Sequence, residues 1–320
     1  MTVAHGRPRA INQEDTNVAP IKSDDFVDAA GRGDGHLFVA YTKICCILGD
    51  LSEICSRGTM TWTKRREFER LLHEWPAQIP EHLRFPDHAL NTEVYVSLQT
   101  QLNLRQLHLP YLLSLAIIGR SLTNETISTQ PMIAASFVAG IFRDFLARDE
   151  IKHLAPIFSR YCIASGFFLA LLQPMTDLWS MCQPDVDVLR RALQELGERW
   201  KSARAGLRAL DHFVTLREKQ SPRSLPRLMW LTNDQTGFFN CLPREYCHVW
   251  DCLQRYCTSE TAIPQHTNGN MISTTDRGTN DGTDQRPSAD DTLSDERWAF
   301  TDVDFEEFMW TNAGEWIPTT

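Results

Sequence analysis

Nine cysteines and ten histidines are the side chains of this 320-residue chain whose types could hold a metal or attack a substrate. Four of the cysteines, Cys241, Cys247, Cys252 and Cys257, lie close together with His248. A zinc site needs thiolates that converge on one tetrahedron, and chains meet that need with tight cysteine pairs two residues apart. Here four or five residues separate each cysteine from the next, which predicts half-buried thiols on a helix beside a loop. Cys45 and Cys46 are adjacent on a helical face and read as core packing. The cysteine count is odd and no apolar signal core follows Met1, so the thiols read as reduced and intracellular. The sequon Asn124-Glu125-Thr126 then carries no consequence. For a nucleophile, the chain offers no Gly-x-Ser-x-Gly elbow, no phosphate-cradling glycine loop and no cysteine in a catalytic setting. Ser165 and Gly166 sit in an apolar run and predict a close helix contact. His73, His82, His88 and His108 fall near helix ends or turns with no carboxylate partner nearby in sequence, and read as surface or satisfied core residues. The expectation is a protein that is not an enzyme, with no catalytic, cofactor-binding or metal-holding residue.

Two acidic features qualify that expectation. Asp290, Asp291 and Asp295 resemble the magnesium-binding aspartate cluster of all-α terpene synthases. Such a cluster works only on rigid helices lining an apolar cavity, and this one closes a Ser-, Thr- and Gly-rich linker with no second metal motif. The rival it leaves is an all-α small-molecule binder or terpene-synthase-like enzyme, with a cavity between the Phe-rich helices around Phe142 and Phe167. The second feature is the C-terminal segment, where Trp298, Phe300, Phe305, Phe308, Trp310 and Trp316 alternate with Asp302, Asp304, Glu306 and Glu307. Carboxylates keep the aromatics in water, and the aromatics can then fold into a partner's groove. These six aromatics are the candidate partner-binding residues, with transcriptional coactivators as the partner class. The other reading is a lid that packs back onto the helical body.

Charge bounds the partners. The formal net charge is −9, and Asp290 to Trp316 holds nine acidic residues against Arg297 alone, which leaves −1 for the rest. A near-neutral body lacks the basic face that phosphate contacts need, so nucleic acid is expected to be met only indirectly or through another module. The basic triplet Lys64 to Arg66 could serve nuclear import or be a solvated helix face. No apolar run reaches the roughly 18 residues of a membrane span.

The elements that must carry these residues read as helices throughout. Leu37, Tyr41, Ile44, Leu48, Leu51 and Cys55 recur at steps of four and three, with Gly58 placed to end the helix. A short helix with Phe68, Leu71, Leu72 and Trp75 is expected to stop before Pro76, and residues 75–83 to form a rigid extended turn. Residues 92–120 predict the central, most deeply buried helix, kinked at Pro110. Pro131 suits the first turn of a helix with Ile133, Phe137, Ile141 and Phe145, and another helix spans roughly 156–172. Leu189, Leu193, Leu196, Trp200, Ala203, Leu207, Leu210 and Val214 form an unbroken series that predicts one amphipathic helix over 185–217. A last short helix holds Tyr246, Val249, Trp250, Leu253 and Tyr256. No strand pairing is expected. The fold class is all-α, an irregular bundle of about seven helices. The domain reading is a disordered arm over 1–35, the helical body over 36–257, a disordered linker over 258–294 and the acidic–aromatic tail over 295–320.

Several of these segments together resemble the regulatory middle region of fungal-specific Zn2Cys6 transcription factors. Cys45–Cys55 (CCILGDLSEIC) resembles the helix that opens this part of the region. Trp75, Ile79, Pro80 and Leu83 are similar to the family's tryptophan followed by Leu-Pro. Leu104–Leu113 (LRQLHLPYLL) resembles its Arg-Pro helix, with Leu109-Pro110 where Arg-Pro is usual. Leu189 to Val214 resembles the closing helix. The family's DNA-binding module needs six cysteines in paired CxxC spacing, and this chain has no CxxC. The resemblance therefore implies a nuclear regulatory domain that lacks the zinc-cluster module, with zinc only if such a module precedes it. It also implies action through protein contacts. A third reading, apart from the resemblance, is a scaffold that forms a homo- or heterodimer, pairing with a full-length relative through Leu189–Val214 and blocking it.

Overall fold

The computed structural model describes residues 17–26, 35–81, 84–85, 98–120, 126–219 and 227–261. Among them are nine α-helices: α1 (His36–Ser56), α2 (Trp62–Gln78), α3 (Leu98–Ile118), α4 (Gln130–Ala147), α5 (Phe158–Ala170), α6 (Thr176–Gly197), α7 (Lys201–Lys219), α8 (Asn233–Gly237) and α9 (Trp250–Thr261). The all-α expectation holds. The helix count exceeds seven because one expected helix is two, and because the five-residue α8 lies in the stretch expected as loop.

The helix ends follow local chemistry. At α1, Gly58 adopts φ 62°, its N–H reaches Cys55 O (3.0 Å) and the Thr59 N–H reaches Ile54 O (3.1 Å). This closes the last turn with the left-handed residue that glycine supplies without strain. Thr61 caps α2 by accepting from the Lys64 N–H. At α4 the same closing pattern forms around Asp149, at φ 56°, with Glu150 N–H on Phe145 O (2.9 Å) and Asp149 N–H on Leu146 O (3.3 Å). Pro131 stands in the first turn of α4, where no backbone donor is missed.

The central segment is the buried one. In α3 every residue from Leu107 to Ile118 is buried, Pro110 included, and the helix continues through it. α3 packs on α1, α2, α4 and α5; α4 adds α5 and α6; α5 adds α6 and α7; and α9 lies on α6. One hydrophobic core runs from Ala40 in α1 to Cys257 in α9.

Three expectations need correction. The helix expected over 185–217 is a hairpin of α6 and α7, broken at residues 198–200. Arg190 Nε lies 2.8 Å from Asp211 Oδ1, whereas 21 residues of continuous helix would span about 30 Å. The chain reverses after Gly197, over which the Arg204 stem passes, and Trp200 anchors the turn by donating to Leu154 O at 3.1 Å. The stripe stays apolar on both arms because both face one core: Leu189, Leu193, Leu196, Leu210 and Val214 are all buried inside the chain. Second, α2 does not stop before Pro76. The proline sits in the last turn, and the extended backbone begins at Ile79 (ψ 127°), the residue before Pro80. Third, a strand pair exists: β1 (Thr126–Ser128) runs parallel to β2 (Arg227–Met229), with Ile127 opposite Leu228. Three-residue strands are too short to leave an alternating signal in sequence.

Helix-to-helix spacing is set by glycines. A Cβ on Gly206 of α7 would lie 2.2 Å from Ile163 Cδ1 of α5, and one on Gly166 of α5 would lie 2.7 Å from Leu210 Cδ1 of α7. Each glycine receives a branched side chain from the facing helix, which is the close contact expected at Ser165-Gly166.

Candidate functional site

Polar side chains within the core are the first place to look for chemistry. Asp185 lies at the middle of α6, at 0% exposure, on the same apolar stripe as Cys182 and Leu189. Ser136 Oγ of α4 donates to Asp185 Oδ2 at 2.5 Å, and Arg143 Nη2, two turns further along α4, donates to Oδ1 at 2.7 Å. His248, just before α9, places Nδ1 3.4 Å from the same carboxylate and 3.1 Å from Arg143 Nη2. Its backbone N–H donates to Ser136 Oγ at 3.1 Å. Three residues from two separate elements thus meet on the carboxylate of a third. Burial raises the Asp185 pKa above the ordinary carboxylate range, against the pull of Ser136, His248 and Arg143.

The residue types are those of a hydrolytic triad, but the order is wrong for one. A nucleophilic serine gives its proton to histidine, which a carboxylate orients from behind. Here Ser136 gives its proton to the carboxylate and accepts from a backbone amide, and its side chain is fully buried. The arrangement ties α4, α6 and the segment leading into α9 together. Sequence reading takes Asp185 as a helix start, weighs His248 only beside the cysteines around it, and passes over Ser136 and Arg143. The available signal is a carboxylate standing on an apolar stripe, three residues after Cys182 and four before Leu189.

Beside this knot, Tyr246 donates to Asp144 Oδ2 at 2.5 Å, and residues 244–246 lie directly on Gly140 of α4. A Cβ there would stand 2.2 Å from Tyr246 O. A surface cleft of about 220 Å³ opens here, lined by Gly140, Arg143, Asp144, Arg148, Glu245 and Tyr246. Deeper in, Arg105 of α3 is buried, pairs with Glu150 and lies 5.4 Å above the Phe145 ring. The closing turn around Asp149 is what aims Glu150 at it.

The residues that carry the family resemblance also converge. Trp75 stacks on Tyr111 at 4.9 Å and donates to Ala40 O at 3.3 Å, which joins α2, α3 and α1. His108 meets Trp75 and Phe85 edge-on, and its Nδ1–H donates to Leu104 O at 2.8 Å. Burial pushes its pKa down to about 4, so the ring is neutral at physiological pH. Tyr111 donates to Phe238 O at 2.8 Å. These positions are packing positions.

The expected site residues fall as follows. Trp298, Phe300, Phe305, Phe308, Trp310 and Trp316, and with them Asp290, Asp291 and Asp295, lie outside the described residues. Phe142 and Phe167 are fully buried, Phe142 against Phe145 and Phe167 against Phe213, and the 220 Å³ cleft lies elsewhere. Cys241 and Cys247 point at different carbonyls, Phe238 O and Ile133 O. Burial raises Cys241 and Cys45 to about 11, and Cys182 and Cys247 to about 12. Such thiols stay protonated at neutral pH and are poor nucleophiles and ligands. Among the described residues no group of three or more His, Cys, Asp or Glu side chains could hold a metal ion. No helix of the described residues is long and apolar enough to cross a membrane.

Comparison with known proteins adds what the geometry lacks. No family model matches the chain, and no solved structure matches it. The acetamidase regulatory protein of Aspergillus fumigatus is 24% identical over 233 residues, 66% of this chain. That of Aspergillus oryzae is 24% identical over 259 residues, 73% of the chain, and that of Emericella nidulans 22% over 238 residues, 68% of the chain. The matches cover 28%, 31% and 28% of these relatives, so the chain spans less than a third of their length. Along about two thirds of its residues, the chain is therefore similar to fungal regulatory proteins.

Proposed function

We propose that this chain is a helical regulatory domain of a fungal transcription regulator of the Zn2Cys6 type, working in the nucleus and acting through protein contacts rather than by catalysis. The observation that carries this reading is the similarity, along about two thirds of the chain, to three acetamidase regulatory proteins. The polar residues that meet in the body join helices, and Ser136 and Asp185 among them are fully buried. In this reading the acidic–aromatic tail contacts coactivators, with Phe305, Phe308 and Trp310 as anchors. DNA is reached through a zinc-cluster module outside these residues or through a partner.

Two measurements test it. The chain fused to an unrelated DNA-binding domain should raise output from a reporter, and residues 288–320 fused alone should raise it too. Triple substitution Phe305→Ala, Phe308→Ala and Trp310→Ala should remove most of the effect. A silent reporter with both fusions at normal abundance would overturn the activator reading. Mapping the 5′ end of the transcript tests the module: coding sequence upstream of Met1 with six cysteines in paired CxxC spacing is the expected result.

A further inference from the structure

The first half of α7 presents a row of cations on the surface of the described residues. Lys201, Arg204 and Arg208 are exposed at positions i, i+3 and i+7, on one face of the helix, with exposed Arg199 just before it. Several other arginines of the bundle's surface have acidic partners: Arg57 with Glu53, Arg70 with Glu74, Arg190 with Asp187 and Asp211, Arg191 with Glu195. The ridge on α7 has none among the described residues. Lys201 and Arg204 also stand in the first turn, at the positive end of the helix, where cations are unfavourable. Arg204 crosses Gly197, near the carbonyl end of α6, which accounts for one positive charge at this turn. Lys201 gains nothing of the kind. By helical geometry Trp200 and Leu207 border the ridge, both only partly buried. The result is a row of cations beside an apolar shelf. The basic start of α2 differs in degree, because Glu67, Glu69 and Glu74 follow Lys64 and Arg66 on the same helix, whereas the first carboxylate after Arg208 on α7 is Asp211, which pairs with Arg190.

A complementary segment exists in the same chain. Residues 290–316 carry nine carboxylates against Arg297, interleaved with the six aromatics Trp298 to Trp316. Between Thr261, where α9 ends, and Asp295 the chain has 33 residues, enough for about 100 Å fully extended. A folded body of this size has a radius of gyration of roughly 17 Å. The tail can thus reach any face, at the high local concentration that a tether gives.

We propose that the ridge Lys201–Arg204–Arg208 docks the acidic–aromatic tail of the same chain, with Asp302, Asp304, Glu306 and Glu307 on the cations and aromatic rings on the Trp200–Leu207 shelf. Docking covers the rings that would otherwise meet a coactivator, so the contact is autoinhibitory. This rests on reading the tail as a partner-binding segment.

The test uses the full chain. Amide hydrogen exchange over 298–316 and chymotrypsin cleavage after its aromatics are measured at low and high salt. Three forms are compared: wild type, the reversal Lys201→Glu/Arg204→Glu/Arg208→Glu, and that reversal combined with Asp302→Lys/Asp304→Lys/Glu306→Lys/Glu307→Lys. Wild type at low salt should be cut about tenfold more slowly than at high salt. The ridge reversal should be cut fast at both, and the combined swap should restore protection. All three substituted ridge residues are exposed. Should the reversal unfold, the milder Lys201→Gln/Arg204→Gln/Arg208→Gln form replaces it, with circular dichroism as the control. Equal tail exchange in wild type and the ridge variant overturns the proposal. So does salt-dependent binding of a duplex oligonucleotide that the reversal abolishes without altering tail exchange, since the ridge then serves phosphate. The reporter fusions separate this from the activator reading. A tail that activates alone while the ridge reversal changes nothing defeats only the docking. Ridge-dependent protection of a tail that is silent as a fusion defeats only the activator reading and leaves a lid.

Discussion

His108 shows how a buried ring converts burial into pH dependence. Its neighbours are Trp75, Phe85 and the Leu104 carbonyl, with no carboxylate to favour the charged form. The unfolded chain takes up a proton as pH falls through about 6.5, while the folded ring resists until about 4. Stability from this site is therefore complete above the unfolded pKa and is lost as pH falls toward 4. Urea unfolding at pH 7 and pH 4 should show wild type losing about 3 kcal/mol that His108→Phe keeps, because 2.5 pKa units correspond to that energy. Parallel pH profiles for the two proteins would mean that the ring is not shut off from water. Asp185 gives the opposite sign. Burial raises its folded pKa, so protons bind more tightly in the native state, and stability from the group is greatest below the unfolded pKa of about 4 and declines as pH rises. Asp185→Ala should cost about 3 kcal/mol, since it strands Ser136 and Arg143. The gap between wild type and the variant should narrow as pH rises from 4. A gap that widens would show that Arg143 and His248 outweigh burial.

At the scale of elements, the sequence carries the existence of helices better than their connections. The periodicity of Leu37 to Cys55, the terminator Gly58 and the first-turn Pro131 all read correctly, because each is a local steric or packing requirement. The reversal at residues 198–200 does not show, because α6 and α7 face the same core and their stripes stay in phase through the turn. Pro76 misleads for a similar reason: a proline in a last turn gives up only one bond. The polar knot is invisible for another reason, since Ser136, Asp185 and His248 stand 49 and 63 residues apart in sequence. Only Asp185 on its apolar stripe marks it. The hairpin has its own test. Ile163 meets Gly206 only because α7 turns back onto α5. Gly206→Ala should cost about 2 kcal/mol, and Ile163→Ala in the same chain should recover part of that, a coupling read from a double-mutant cycle. A continuous helix over 185–217 would give two additive losses. Gly140→Ala forces a Cβ into the Tyr246 backbone instead of a flexible side chain, so no single side-chain truncation should rescue it.

At the scale of the whole molecule, one core links the ends of the body. Trp75 sits near the start of the chain and stacks on Tyr111, which donates to Phe238 O. Phe238 leads to Phe239, which stacks on Phe137 at 5.6 Å and meets Trp250 edge-on at 5.7 Å. The aromatic path from α2 to α9 is thus continuous through α3 and α4. Arg65 adds a polar tie, donating to Arg120 O at 3.2 Å across 55 residues. A body joined this way has no internal seam at which α1 and α2 could separate while α4 to α7 stay folded. Tryptophan fluorescence, to which Trp75 and Trp250 on this path contribute, and helical ellipticity should therefore fall together in urea, with one midpoint and one slope. Tyr111→Phe tests the link directly. It removes the hydroxyl that reaches Phe238 O and leaves that buried carbonyl without this donor, at a cost of about 1–2 kcal/mol. If the path unites the body, the two probes still superimpose in the variant at a lower midpoint. If fluorescence falls before ellipticity in either protein, α1 and α2 form a separate folding unit, and the aromatic path is a contact between units instead of the core of one.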